Sequence, residues 1–240
     1  MAGATSAPSA GASAAQGGSG GSAVAAAGSS GAAGAVASGA GAGAPVARED
    51  LGKGDGKDVI CIGDSWMLLT LTGIQTGLLK ASGQPYRTYG RPATQLLNGQ
   101  IPSQYTAAKR EDPDIKTVVM TGGGNDLLLT GSTQGGAATS QIDKVAQRLG
   151  ELWAEMGKDG VKDIVYVGYS RGGTNEKNVN EGNMKVRPVC EAVTPARCHF
   201  VDSDETINKQ LRDGIHPTDA GYDALGKTVH ELMVKEGMRR

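Results

Sequence analysis

The chain has 240 residues, a formal net charge of -1 and only three cysteines and three histidines. That length suits one domain with an appendage. A near-neutral chain without any Lys/Arg stripe or block excludes nucleic acid or an anionic membrane as main partner. No apolar run reaches the roughly 20 residues that cross a bilayer.

Residues 1–47 are almost wholly Ala, Gly and Ser, with no aromatic residue and no charge before Arg48. Such a stretch has little apolar surface to bury and loses much backbone entropy on ordering, so a flexible tether is expected. A long Ala-rich helix is the competing reading, but glycine recurs every few residues, each costing about 1 kcal/mol against helix. Residues 48–240 form the domain proper, long enough for one buried core.

Within that domain apolar runs alternate with helical patterns. Residues 58–62 are short, apolar and β-rich, ending at Gly63, and predict a buried strand. Met67, Leu68, Leu71, Ile74 and Leu78 recur at helical spacing and predict a helix ending near Gly83. Residues 85–89 predict a second strand, 103–111 a helix stopped by Pro113, and 115–120 a third strand running into Gly122-Gly123-Gly124. Ile142, Val145, Leu149, Leu152, Trp153 and Met156 form one continuous apolar stripe, the clearest helix in the chain. Residues 163–167 predict a buried strand, 170–182 a polar loop, and 199–202 a last strand. Pro217 stands where a final helix would start, its apolar face carried by Tyr222, Leu225, Val229, Leu232 and Met233. Strands without polar/apolar alternation, each followed by a helix, predict an α/β fold with a parallel sheet covered on both faces. Functional groups in such sheets collect at the carboxyl ends of strands, where Ser65, Gly90 and Asn125 all fall.

Acyl transfer by serine needs a hydroxyl, a base, a group fixing the base, and donors for the oxyanion. His199 lies inside a predicted strand and His230 on the final helix, so both read as structural. His216 sits in the turn Asp213-Gly-Ile-His-Pro217, with a carboxylate three residues ahead. That spacing can bring the Asp213 oxygen to one ring nitrogen and leave the other to accept a proton. An ordinary Asx turn explains the same residues. Ser65, in Ile62-Gly-Asp-Ser-Trp66, exposes its hydroxyl at a strand end with its N–H in a field that favours anions, although a simple helix cap would look alike. Asn125, after the third strand, can donate to an oxyanion without carrying charge.

Gly63-Asp64-Ser65, Gly90, Gly123-Gly124-Asn125-Asp126 and Asp213-Gly-Ile-His216 occur in this order, each of the first three after its own strand. The arrangement resembles the SGNH (GDSL-type) hydrolase family from about residue 58 onward. The resemblance implies a flavodoxin-like three-layer α/β/α sandwich without metal or organic cofactor. It makes Ser65 the nucleophile, His216 the general base and then acid, and Asp213 its partner, with the N–H groups of Ser65 and Gly90 and the Asn125 amide as oxyanion hole. Two departures stand out. Trp66 replaces the name-giving Leu, and the block Tyr89-Gly-Arg-Pro92 is short of its usual flanks, leaving Gly99 as a distant substitute for Gly90. The substrates implied are simple acyl esters, thioesters, lysophospholipids or acetylated sugars, met by loops 90–104, 127–141 and 170–188.

Two readings compete. Gly168-Tyr-Ser170-Arg-Gly172 matches the G-x-S-x-G elbow of α/β-hydrolases and also follows a strand. The elbow must lead into a packed helix, whereas residues 174–182 are polar and aperiodic. A non-catalytic phosphate- or nucleotide-binding module could use Gly122-Gly123-Gly124 as a cradle, but that loop lacks the Lys-Ser/Thr of a P-loop and the dinucleotide spacing. Cys190 and Cys198 are close enough to close a small loop by a disulfide, or could remain two thiols; Cys61 reads as a buried residue. No paired Cys-x-x-Cys spacing points to zinc. The residues after Met1 lack a signal peptide's basic start and apolar core. The tether and cysteine pair nevertheless suggest a secreted, periplasmic or surface-tethered enzyme, by default a monomer.

Overall fold

The computed structural model describes residues 56–128, 139–173 and 176–240. The expected tether, residues 1–47, lies outside them, as does most of the predicted loop 127–141.

Five strands, β1 (Val59–Ile62), β2 (Arg87–Thr88), β3 (Thr117–Met120), β4 (Asp163–Val167) and β5 (Arg197–Val201), form one sheet in the order β2-β1-β3-β4-β5. Every pairing is parallel. The continuous apolar runs follow from burial on two faces, because alternate side chains leave a strand in opposite directions. Ile60, Ile62, Val118, Met120, Ile164 and Tyr166 pack into one core, with Ile101 of α2 (Gln100–Glu111) and Leu149 and Trp153 of α4 (Thr139–Lys158). Val59, Cys61, Val119, Val165 and Val167 pack into the other, with Ile74 of α1 (Ile74–Ser82) and Leu225 and Val229 of α7 (Asp219–Lys235). Helices therefore cover both faces, and the architecture is the predicted three-layer α/β/α sandwich. The remaining helices among the described residues are α3 (Gly124–Leu128), α5 (Glu176–Glu191) and α6 (Ser203–Ile207).

Three local expectations are corrected. The helix predicted from Met67 starts only at Ile74. The preceding residues fold back instead: the Ile74 N–H donates to Trp66 O at 3.0 Å and Leu69 bridges Thr72, which leaves Leu71 83% exposed. The polar stretch 170–182 is not all loop, for α5 begins at Glu176. Its buried stripe is Asn178, Gly182, Val186 and Cys190, and the two members inside 170–182 are an amide and a glycine. Finally, Pro217 lies just outside α7, whose N-cap is Thr218; the Thr218 hydroxyl accepts from Gly221 N–H at 3.1 Å. Cys190 and Cys198 are joined by a disulfide that ties α5 to β5. Cys61 is buried in β1, where desolvation pushes its thiol up to about 12.

Candidate active site

The site is built where β1 ends. Gly63 adopts φ +143°, and a Cβ there would lie 2.2 Å from the Thr121 hydroxyl, so only glycine lets β1 and β3 close at this point. Asp64 then turns the chain. Its backbone O accepts from Met67 and Leu68 N–H at 3.0 and 3.1 Å, while its Oδ1 accepts from Trp66 N–H at 3.1 Å and Thr121 Oγ1 at 3.0 Å. Tyr169 donates its hydroxyl to Asp64 Oδ2. Burial pushes the Asp64 carboxyl above the ordinary value, and these donors oppose that push. The turn leaves Ser65 on the cavity wall, 8% exposed, and no described acceptor takes its N–H.

The loop between α6 and α7 brings the second half. Gly214, at φ +76°, occupies the left-handed region that favours glycine and lets the chain double back. Arg212 N–H donates to His216 O at 2.9 Å, closing the turn. Asp213 divides its two oxygens between two tasks. Oδ1 accepts the N–H groups of Ile215 (3.0 Å) and His216 (2.7 Å), while Oδ2 lies 2.7 Å from His216 Nδ1. The Asx turn and the histidine contact, alternatives in the sequence, coexist. Partial burial works against the Asp213 charge, but the backbone and imidazole donors outweigh it and lower the carboxyl to about 2. His216 Nε2 lies 3.0 Å from Ser65 Oγ, across 151 positions of sequence.

Asn125 is the second residue of α3 and lines the same cavity as Ser65. Its Nδ2 donates to Thr94 O at 2.9 Å, which leaves its second N–H to serve the cavity. Gly90 lies beside Gly63 at the end of β2, where Arg91 N–H donates to Gly63 O at 3.0 Å. No described residue accepts the Gly90 N–H, but Gly90 is not among the cavity-lining residues. Its Cβ would stand 2.8 Å from Met67 Cγ, so close packing also explains the glycine. Gly99, the substitute, is the residue preceding α2.

The cavity has mainly apolar walls, with Trp66, Leu128, Val179, Leu211 and Ile215 around Ser65. Ser170 also reaches it, but its hydroxyl donates to Asp204, which is further held by Arg171 Nε at 2.5 Å. His199 sits in β5, 3.6 Å from Asp163, and His230 lies in α7 with its imidazole lowered by burial. Neither is hydrogen-bonded to a serine among the described residues. No three His, Cys, Asp or Glu side chains converge as a metal site there, and no helix there is long and apolar enough to cross a membrane.

Several supporting residues escaped the sequence reading. Gln104 of α2 spans 41 positions to clamp Gly63, accepting its N–H at 2.6 Å and donating to its O at 2.9 Å. Thr94 Oγ1 adds a third protein donor to Gly63 O at 3.0 Å. Asp126 accepts the Leu96 and Leu97 N–H groups, both at 2.8 Å, fixing the loop whose Thr94 carbonyl holds Asn125. A glutamine and an aspartate on otherwise buried faces were the available signals.

A parallel sheet of this order, with a serine, a histidine and an aspartate in hydrogen-bond contact beyond its carboxyl edge, defines an α/β/α sandwich, and the family match that follows makes it a carboxylic ester hydrolase. Residues 26–224 match the sequence profile of the GDSL-like lipase/acylhydrolase family, and the chain belongs to that family. The acetylxylan esterase Axe2 of Geobacillus stearothermophilus superposes with a TM-score of 0.56 at 18% identity, over 75% of this chain and 95% of that one. Est24, a carbohydrate acetylesterase from Sinorhizobium meliloti, superposes with a TM-score of 0.58 at 14% identity, over 74% of this chain and 98% of that one. No match was found among curated protein sequences.

Proposed function

We propose that the protein hydrolyses short-chain carboxylic esters through an acyl-Ser65 intermediate, with His216 as base and then acid and Asp213 as its orienting partner. The observation that carries this reading is the position of His216, 3.0 Å from Ser65 Oγ on one nitrogen and 2.7 Å from Asp213 on the other. Asp213 fixes the proton on Nδ1, so Nε2 presents its lone pair to the serine. As Ser65 Oγ attacks the ester carbonyl, its proton passes to Nε2. The oxyanion is received by the N–H groups of Ser65 and Gly90 and by Asn125 Nδ2. His216 returns the proton to the leaving alcohol. It then deprotonates the water that releases the acid.

The substrate assignment rests on the cavity. Apolar walls next to Ser65 suit a small acyl group. A carbohydrate acetyl ester is the favoured substrate within this reading, supported by the acetylxylan and carbohydrate acetylesterases that share the fold. Lysophospholipid and thioester substrates compete with it. The disulfide between Cys190 and Cys198 supports a secreted or surface-tethered setting, where thiols are oxidised.

The deciding experiment compares S65A with S170A. A fluorophosphonate probe is expected to label wild type and S170A and to leave S65A unmarked; the reverse pattern would move the nucleophile to Ser170. A panel of p-nitrophenyl esters of rising chain length, run beside acetylated xylan, assigns the acyl and alcohol parts. A preference for long chains would reject the short-acyl reading.

A further inference from the structure

The assignment of Ser65 and His216 leaves unexplained the residue between the nucleophile and the fold-back, Trp66. The related family carries leucine there, which would fill space. Trp66 is 2% exposed and does more than that. Its backbone N–H donates to Asp64 at 3.1 Å and its backbone O accepts from Ile74 at 3.0 Å, so both ends of the residue are fixed to the nucleophile turn. Its ring meets Tyr169 edge-on at 5.1 Å, which sets the plane of the indole. Its Nε1–H then reaches across 149 positions to donate to Ile215 O at 3.0 Å.

Ile215 O belongs to the peptide unit whose N–H is that of His216, and this N–H donates to Asp213 Oδ1 at 2.7 Å. The one peptide plane that leads into His216 is therefore pinned at both poles, by Trp66 on its oxygen and by Asp213 on its hydrogen. Asp213 and His216 lie on the same loop, so their contacts fix that loop internally. Those contacts do not fix its distance from Ser65. We propose that Trp66 is a positioning residue, its indole N–H setting the approach of the His216 loop to Ser65 and so the 3.0 Å separation of Nε2 from Oγ.

This inference rests on the proposed roles of Ser65 and His216. Its physical logic separates it from a packing role. Loss of the indole donor removes a single hydrogen bond, that to Ile215 O, and an isosteric ring leaves the packing around it unchanged. Stability then changes little, while the loop loses its register. Proximity effects are steep in distance, and a misplacement of about 1 Å can cost on the order of 10²-fold in rate.

The test uses the full chain with Trp66→Phe, and a second variant in which the Trp66 indole is replaced by benzothiophene, the same shape without the N–H donor. p-Nitrophenyl acetate is the substrate, being small enough to ignore changes in the cavity wall, and fluorophosphonate labelling reports the first step alone. Both variants are expected to lose about 10- to 100-fold in kcat and in labelling rate with KM within about twofold of wild type; the benzothiophene variant should keep a nearly unshifted thermal transition, while Trp66→Phe, which leaves space in a buried site, should melt lower. A benzothiophene variant with wild-type kcat and labelling rate, or a change confined to KM, would overturn the positioning role. If Trp66→Phe does not fold, the isosteric variant alone decides. Full activity in S65A would instead refute the nucleophile assignment, an outcome distinct from any result at position 66.

Discussion

Replacing Asp213 by asparagine tests the acid-base assignment most sharply, because it keeps the shape of the turn and reverses one proton. The side-chain oxygen of the introduced amide can still accept the N–H groups of Ile215 and His216, at 3.0 and 2.7 Å in the wild-type turn. Its NH₂ group then takes the place of Oδ2, 2.7 Å from His216 Nδ1. An NH₂ group only donates, so Nδ1 must offer a lone pair and the imidazole proton moves to Nε2. That proton points at Ser65 Oγ, and the base is gone. A reversed tautomer of this kind costs about 10⁴-fold in kcat, or about 5.4 kcal/mol of barrier. The effect on stability should be far smaller. The Asp213 carboxyl is lowered from 3.8 to about 2, so its stabilising contribution is present above pH 4 and is lost as pH falls toward 2. Unscreened, that shift corresponds to roughly 2.5 kcal/mol, but the side chain is 48% exposed and screening reduces it to about 1 kcal/mol or less. D213N should therefore melt within about 4 °C of wild type at pH 7 while losing nearly all turnover of p-nitrophenyl acetate. A folded D213N within tenfold of wild-type kcat would refute the roles given to both Asp213 and His216.

Asn125→Ala removes one oxyanion donor and is expected to lower kcat by about 10²- to 10³-fold with little change in KM; steady-state kinetics showing a change in KM alone would make Asn125 a substrate-binding group instead. The disulfide closes a loop between residues eight positions apart, for which chain entropy gives about 2.5 kcal/mol. The C190S/C198S double variant should thus melt about 5–10 °C lower than wild type while keeping its activity at 25 °C, and an unshifted melting curve by circular dichroism would contradict that expectation.

The sheet was legible because its central strands are buried on both faces and carry unbroken apolar runs, as residues 59–62 and 118–120 do. The order of the site residues was legible for a related reason: in a parallel sheet each crossover returns the chain to the same edge, and here the residues after β2 and β3 flank the residue after β1, which lies between them. What sequence hid depends on contacts between distant segments. The fold-back after Trp66 needs Gly73, whose Cβ would come within 2.2 Å of Met67 O, and this tertiary closure overrides the helical spacing of Met67, Leu68 and Leu71. Helix α5 hides its buried side behind Asn178 and Gly182, the latter lying close against Leu127 of α3. The reach of Gln104 to Gly63 and of Trp66 to Ile215 leaves no periodic trace at all.

The two serines differ in what surrounds their hydroxyls. Residues 174–182 read as too polar for the packed helix that a Ser170 elbow requires, yet α5 begins six positions after Ser170. The objection to Ser170 must therefore come from its surroundings. Its hydroxyl donates to Asp204, and the same carboxylate is gripped by Arg171. Burial works against the Asp204 charge, but the Ser170 and Arg171 contacts prevail and hold it below the ordinary carboxylate value. A carboxylate kept that acidic is a poor acceptor for a serine proton near neutral pH, since an effective base titrates close to the working pH. The glycines of the motif have packing reasons of their own: a Cβ on Gly168 would lie 2.5 Å from the Phe200 ring, and one on Gly172 would lie 2.3 Å from Lys209 O. The Gly168–Gly172 segment is thus a buttress fitted against β5 and the residues leading into the His216 loop. Ser65 differs from Ser170 in one decisive respect: the group facing its hydroxyl is an imidazole already oriented by a carboxylate.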